Sequence, residues 1–590
     1  MKNKLFTLFI LPIMALSLCS CSIFRATTEK TIDVYNLDKL DGNLKSCKTG
    51  EVRARFNKNQ EYVPYLSLRQ YASLYDSHYA NGFTNSISRK GDLVSWSVIG
   101  DNTLYFLTQI DFANKEVITA GSLDACYKID DDPRDTASLY YGNYTEYDTR
   151  LLGSSYYAHY SFADYDIDYF SYLGDYYLPL SFYDITYCFD TSLYFYYNYG
   201  SIYSSVSVDS FYEKQYIKGV KEYSVASEMI SLKKDEEIPS YLLDLNSNLF
   251  LYLLDNFYGL KDYKGIKTAK EYCKQIGTYD SLFNANDTIR TEAYAETLDR
   301  LDDNHTALIA GSVVWGTQSF SQRKYGTGCL NRSTLRGKLT RIRKEITSTA
   351  YQNAEVPLIS DDQKTAMIFF NEFKYGSTSE VFNDDGTVKE TAGLYDSFYY
   401  FLGQLKSLKA LGTIENVVID IATNGGGVLG VLMKLSALIS KENRGELYYL
   451  DNATKQLGIA ITQVDSDDNG AYNKEDCYGD DFNMYLLTSD CSFSCGNAFP
   501  CLAQKLGSAR IIGEKSGGGE KSGGGECAVG IHYLPNGEYV YHSSNLRLGY
   551  YDETNNAFIG FEDGANADIS ISDYYDFFDI NALSSMIQKA

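Results

Sequence analysis

Histidine is scarce in this 590-residue chain: His78, His159, His305, His532 and His542 are the whole supply. Any imidazole chemistry therefore has five candidates. Cationic side chains are outnumbered 77 to 53, for a net charge of −24, so nucleic acid and anionic lipid headgroups are both repelled. Twelve cysteines are present without metal-ligand spacing. Cys491-x₃-Cys495 looks like half of a zinc pair, but Ser, Phe, Gly and Asn surround it and no second half follows. Disulfides outside the cell are compatible with the count, and spacing does not choose among the pairings. Beyond residues 5–18 no stretch is long and apolar enough to cross a bilayer, which excludes a bundle of spanning helices.

What is present begins with Met1-Lys-Asn-Lys, an apolar run and Leu18-Cys-Ser-Cys21. A positive start, a short apolar stretch and a small residue at the cut describe a secretory signal. The Leu-x-Ser-Cys pattern resembles a bacterial lipobox, which implies a lipoprotein signal over 1–21 with the cut before Cys21 and the lipid on that residue; Cys19 is a competing cut behind the bulkier Leu18. The expected location is extracytoplasmic, held to the cell membrane by that anchor. A linker over 22–30 leads to a β-rich, tyrosine-rich domain over 31–225. There, short alternating runs such as Leu104-Tyr-Phe-Leu-Thr-Gln-Ile are punctuated by turn residues. Its tyrosines suit either a two-sided core or a face that contacts glycans or peptides by stacking. A phrase recurs in weak form at Glu61-Tyr-Val-Pro-Tyr-Leu-Ser-Leu and Asp175-Tyr-Tyr-Leu-Pro-Leu-Ser-Phe, an extended segment before a short helix. It is similar to the N-terminal stalk module of copper amine oxidases, without a copper ligand set.

From 239 to 355 the pattern turns helical, with helices expected from residue 241 to near Gly259 and over 291–301; residues 306–355 are basic and polar without clear periodicity. From 356 to 590 strands and helices alternate: strands at 365–370, 416–421 and 484–487, helices at 394–410, 428–439 and 498–506, the last broken near Pro500. This is an α/β layer architecture.

Two strand–turn–helix units carry chemistry. One ends in Asp420-Ile-Ala-Thr-Asn-Gly425-Gly426-Gly427, the other in Cys491-Ser-Phe-Ser494-Cys495-Gly-Asn. Glycines after a strand let backbone N–H groups point at a ligand. A serine at the next strand end lifts its hydroxyl toward them, although serine is also the commonest helix N-cap. A phosphate loop is the rival, but the residue before Lys515 is Glu514, and before Lys521 it is Glu520, so Gly-Lys-Ser is missing from both.

The glycine block, the Phe-Ser-Cys-Gly block and Lys505-Leu-Gly-Ser-Ala-Arg-Ile-Ile-Gly-Glu-Lys-Ser-Gly-Gly-Gly follow one another in order. Together they resemble the tail-specific (C-terminal processing) serine peptidases. Asp303-Asn304-His305-Thr306 points within that family to the tricorn-core-like branch. The resemblance implies a crotonase/ClpP-like α/β core with a small helical subdomain ahead of it. It further implies Ser494 as nucleophile, His305 as general base and Glu562, in the ending Phe561-Glu-Asp-Gly-Ala-Asn-Ala-Asp568, as the orienting carboxylate. The oxyanion hole falls to the N–H of Cys495 with that of Gly426, or of Gly425. Asn304, beside the base, is a secondary candidate. In the serine–lysine branch the base would fall at Gly519, flanked here by Lys515 and Lys521 in a tandem Glu-Lys-Ser-Gly-Gly-Gly repeat, so a lysine base stays open. Asn497 stands where the family often has Glu.

The reading is a lipid-anchored serine endopeptidase acting on unstructured or C-terminal protein segments, with no cofactor and no metal implied. The rival is a non-catalytic surface lipoprotein that keeps the fold and binds without turnover.

Overall fold

The computed structural model describes residues 25–37, 48–79, 82–121, 144–151, 157–191, 193–205, 233, 236–311, 315, 324–517 and 523–590. The signal, Cys21 and Lys521 lie outside the described residues.

Asn416–Asp420 is buried along its whole length and lies inside a six-stranded sheet. It pairs in parallel with Thr365–Phe369 on one side and Asn483–Thr488 on the other. Arg510–Gly513 and Ile569–Ser570 extend the sheet in the same direction, and Leu358–Ile359 closes the far edge antiparallel. A continuous apolar strand is what a sheet covered on both faces requires. Val417 and Ile419 pack with the helices Ser397–Leu411, Leu429–Leu438 and Cys495–Leu506. Val418 faces the opposite layer, built from Thr327–Ile346 and the C-terminal helix Ile580–Lys589. This is the expected α/β layering, and it points the strand ends carrying both chemical turns the same way.

A second sheet runs Ala307–Ala310, Tyr539–Asp552, Gly445–Asp451, Gln456–Gln463, Tyr144–Leu151, with Cys527–Tyr533 and Ala557–Gly560 also pairing onto Tyr539–Asp552. The strand from the N-terminal region, Tyr144–Leu151, pairs along eight residues of Gln456–Gln463. Two further sheets make up the β-rich region as expected, of seven and five strands. The recurring phrase forms a strand and then a helix in both places, Tyr65–Ser67 with Leu68–Ser73 and Asp175–Pro179 with Leu180–Thr191. The two strands pair with each other, Tyr177 opposite Ser67 and Pro179 opposite Tyr65. Tyr71 stacks on Tyr183 with ring centroids 4.7 Å apart. Tyr71, Tyr75, Tyr183 and Tyr187 are fully buried, so these tyrosines build core and not a stacking face.

One hydrophobic core joins this region to the helices after residue 239 and to Cys527, Tyr533, Leu534, Tyr539 and Val540 of the second sheet. The N-terminal region is thus fused into the second sheet. Its first strand, Thr27–Asn36, begins inside the span expected to be linker. Asn286 caps a helix that starts at Asp287, ahead of the expected 291, because its side chain accepts from Ile289 N. The stretch read as aperiodic contains the 20-residue helix Thr327–Ile346. The helix expected over 498–506 starts at Cys495 and runs through Pro500, giving up one hydrogen bond while the ring is buried in the core. Among the described residues eight cysteines are free and buried, so no disulfide forms between them. None of the described helices is long and apolar enough to cross a membrane.

Candidate active site

Ser494 terminates the turn after Asn483–Thr488 with φ 56° and ψ −126°, at the N-cap of Cys495–Leu506. A side chain rarely adopts this backbone, at a cost of about 1–3 kcal/mol. The hydroxyl makes no capping hydrogen bond, so the serine is not serving as an ordinary helix cap. Its backbone is held on both sides: Ser494 N donates to Gly524 O at 2.9 Å, and Ser494 O accepts from Asn497 N at 2.9 Å and Ala498 N at 2.8 Å.

The glycine turn lies directly against it. A Cβ on Gly426 (φ 107°) would stand 2.6 Å from Ser494 Cβ, 2.9 Å from its Oγ and 3.0 Å from Cys495 N. A Cβ on Gly427 (φ 138°) would meet Phe373 O at 2.1 Å. Only glycine permits this approach. The Gly426 N–H donates to Asn424 Oδ1 at 2.8 Å. Gly425 and Gly427 are exposed on either side of it. Cys495 is buried, its thiol donating to Gly427 O at 3.1 Å, and burial pushes its pKa up to about 12.

His305 arrives from the turn before Ala307–Ala310. Asp303 shapes that turn: its Oδ1 accepts from His305 N at 2.9 Å, and its Oδ2 accepts from Thr306 Oγ1 and Ser543 Oγ, both at 2.7 Å. The imidazole lies edge-on to Phe493, ring centroids 4.8 Å apart, and its Cε1 is 3.1 Å from where a Cβ of Gly525 would be. The ring thus sits beside Phe493 and Gly525, while Ser494 N is bonded to Gly524. Sequence-distant His305 and Ser494 are brought to one notch, without a direct hydrogen bond between ring and hydroxyl. His305 Nδ1 is buried without an acceptor. Burial lowers the imidazole's pKa below 6.5, opposed by the Asp303 charge and a backbone contact at Cys527, and aided by Arg332.

Glu562 is buried beneath the same loop. Its Oε2 accepts from Glu526 N at 3.0 Å, while Glu526 Oε2 accepts from Glu562 N at 2.9 Å. Burial first, then Asp303 and Glu526, raises its pKa to about 8. The carboxyl supports the Gly523–Glu526 segment, where a Cβ on Gly523 would collide with it, and makes no hydrogen bond to His305. Asn304 is exposed. Lys515 is exposed too, its charge felt by the Cys501 thiol. Asn497 holds the loop, donating to Phe561 O at 2.7 Å and accepting from Ser516 Oγ at 2.6 Å.

Sequence reading missed Arg332. Its guanidinium is buried, donates to Asp490 O at 2.8 Å, Gly517 O at 2.5 Å and Gly523 O at 3.0 Å, and lies 4.8 Å over the Phe493 ring. It also missed a cation register away from this notch. Asp465-x-Asp467-x-Asn469-Gly470-x₅-Asp476 has the spacing of a calcium loop, with Gly470 at φ 80°. Carboxylate oxygens of Asp465, Asp467 and Asp476 lie within 4.8 Å of one another.

Residues 381–526 match the family model for peptidase family S41, a span that includes the glycine turn, the Ser494 turn and the Arg332-held loop. Among curated proteins nothing matches. Among solved structures the chain is similar to a photosystem II D1 C-terminal processing protease (13% identity, 37% of this chain and 45% of that one, TM-score 0.24). It is also similar to mature CPAF complexed with lactacystin (10%, 59% and 98%, 0.35) and to a lipoprotein from Streptococcus agalactiae (9%, 58% and 96%, 0.33). Over residues 381–526 the chain thus carries the match to peptidase family S41, a family of serine-type peptidases.

Proposed function

We propose that this protein is a lipid-anchored, extracytoplasmic endopeptidase that cleaves unstructured or C-terminal protein segments through an acyl-enzyme on Ser494, on a crotonase/ClpP-like core. The observation that carries it is the Ser494 hydroxyl, free of capping duty on a strained turn, packed against Gly426 in the notch that holds the half-buried His305 imidazole.

His305, neutral at physiological pH because burial disfavours its charged form, takes the hydroxyl proton as Oγ adds to the peptide carbonyl. The proton then passes to the leaving amine as the C–N bond breaks, and water attacks the acyl group in the reverse sense. The oxyanion forms beside the N–H of Cys495, the first residue of a helix, and the Gly425–Gly427 turn; Gly426 joins if Asn424 releases its N–H. Asp303 and Glu562 fix the histidine turn and the loop against the ring. Attachment through Cys21 supplies the membrane contact that the charge of −24 opposes.

The missing hydroxyl–imidazole hydrogen bond favours the second reading, a binding protein without turnover. A fluorophosphonate probe separates the two. Wild type is labelled and Ser494→Ala is not if the peptidase reading holds; a folded wild type that stays unlabelled supports the binding protein. On an unfolded protein substrate, His305→Ala loses about 10³-fold or more in kcat while Lys521→Ala and Lys515→Ala retain activity. The opposite pattern makes a lysine the base.

A further inference from the structure

The helix Thr327–Ile346 carries six Lys or Arg and one Glu, in a chain whose net charge is −24. Three of its arginines lie toward the peptidase core, and two of them are held by several short contacts each. Arg332 donates to three carbonyls, and Arg343 makes a two-pronged ion pair with Asp420, both contacts 3.0 Å, between the rings of Phe369 and Phe578. Arg336, one turn after Arg332, differs. Its hydrogen bond from Nη2 to Cys491 O is long, 3.3 Å. Its Nε is shut off from solvent with no acceptor, and it makes no ion pair with any described carboxylate.

Its place is specific. Nη2 and Nη1 lie 3.2 and 3.4 Å from where a Cβ of Gly425 would be, so the guanidinium lies across the exposed first glycine of the turn that faces Ser494. Cys491, its other contact, is three residues before Ser494. A guanidinium presents five N–H donors in a planar fork that matches the two oxygens of a carboxylate. Left without such a partner, partly buried donors cost free energy that a bound anion recovers. A cation at the notch also offsets locally the acidity that repels anionic segments elsewhere.

We propose that Arg336 is a substrate-anchoring residue, pairing with a carboxylate of the bound peptide beside the scissile bond. That carboxylate belongs either to an acidic side chain or to the chain terminus. The inference rests on the peptidase reading of the Ser494 notch for the identity of the ligand as a peptide.

Peptide binding to full-length Ser494→Ala tests it without turnover, by fluorescence anisotropy. Four labelled peptides are compared: free C-terminus against C-terminal amide, and internal Glu against internal Gln. One carboxylate-bearing member binds about tenfold or more tightly than its neutral partner, which names the source. Arg336→Gln in the same background collapses that ratio to near one, and Arg336→Lys restores part of it. Arg341→Gln, on the solvent side of the helix with its side chain 70% exposed, leaves the ratio unchanged. Equal binding of acid and neutral peptides, or a ratio that survives Arg336→Gln, overturns the inference. Loss of the ratio in Arg341→Gln overturns it as well, since bulk charge then explains the preference. Fluorophosphonate labelling of wild type reports separately on the peptidase reading, so the two fail distinguishably.

Discussion

At the scale of single residues, the pH behaviour of the notch follows from burial. The His305 imidazole has its pKa lowered below 6.5 mainly by desolvation, so its free-base form persists as the medium is acidified. The acid limb of kcat/KM should have its midpoint below 6.5, read from initial rates between pH 4 and 8; a limb above 6.5 would remove His305 from the mechanism. Glu562 titrates in the opposite sense. Its pKa is raised to about 8, so it is neutral in the folded protein where the unfolded chain ionises near 4.5. Its contribution to stability is therefore complete below about 4.5 and is lost as pH rises from there to about 8. Glu562→Gln mimics the neutral form, and its melting temperature should fall less than that of wild type between pH 5 and pH 8. If Glu562 keeps the loop against His305 as a neutral acceptor, the same variant retains both labelling at Ser494 and turnover within about threefold of wild type below pH 8.

Single residues were also the most legible part of the sequence. Ser494, the three glycines and His305 stand in short ordered blocks, and the fold brings them to one notch. What the sequence could not announce was saturation: that the Gly426 N–H is taken by Asn424, or that Glu562 bonds to the Glu526 backbone. Those depend on which of several near neighbours the loop presents, and spacing carries no such information.

At the scale of elements, the helix Thr327–Ile346 shows why one stretch was unreadable. Its inward face is shared between Leu339 and Ile342 and the buried Arg332 and Arg343, so an apolar period never forms. The helix ends that were read well have local signals, Gly412 and Gly507 in left-handed conformations, whereas the helix expected from 394 starts at Ser397, where Asp396 accepts from Phe398 N and Tyr399 N. The duplicated loop is a second case. Gly517 and Gly523 occupy the same position in the two copies of Glu-Lys-Ser-Gly-Gly-Gly, and Arg332 Nη2 donates to both carbonyls. The two ends already meet at one guanidinium. Deleting residues 518–523 should then leave the fold intact, with a melting temperature within a few degrees of wild type and Ser494 still labelled. A variant that fails to fold would show that the second copy of the repeat is needed for the fold.

At the scale of the molecule, the domain borders suggested by composition do not coincide with the packing. Composition reports what a segment is made of, whereas a shared core depends on which faces meet. Tyr144–Leu151 supplies an edge strand to the sheet that carries the histidine turn, and His532 of that sheet is 3.1 Å from Ile185 O of the N-terminal region. His532 is in turn 2.8 Å from His542, whose neighbour Ser543 donates to Asp303. A truncated chain beginning at Pro239 should therefore expose part of the common core. We expect it to be insoluble or to lack a cooperative thermal transition by circular dichroism, while the chain from Thr27 onward melts as one unit. A soluble, labelled 239–590 fragment would refute this.

The sulfur beside Ser494 has a practical corollary. With Cys495 buried against Gly427 O and its proton retained up to about pH 12, alkylating reagents such as iodoacetamide find no sulfide anion there. Oxidising surroundings leave that position unharmed for the same reason. An electrophile that reaches the notch will meet oxygen first, so adducts recovered from peptides spanning the two residues can be assigned to the hydroxyl without mutating its neighbour.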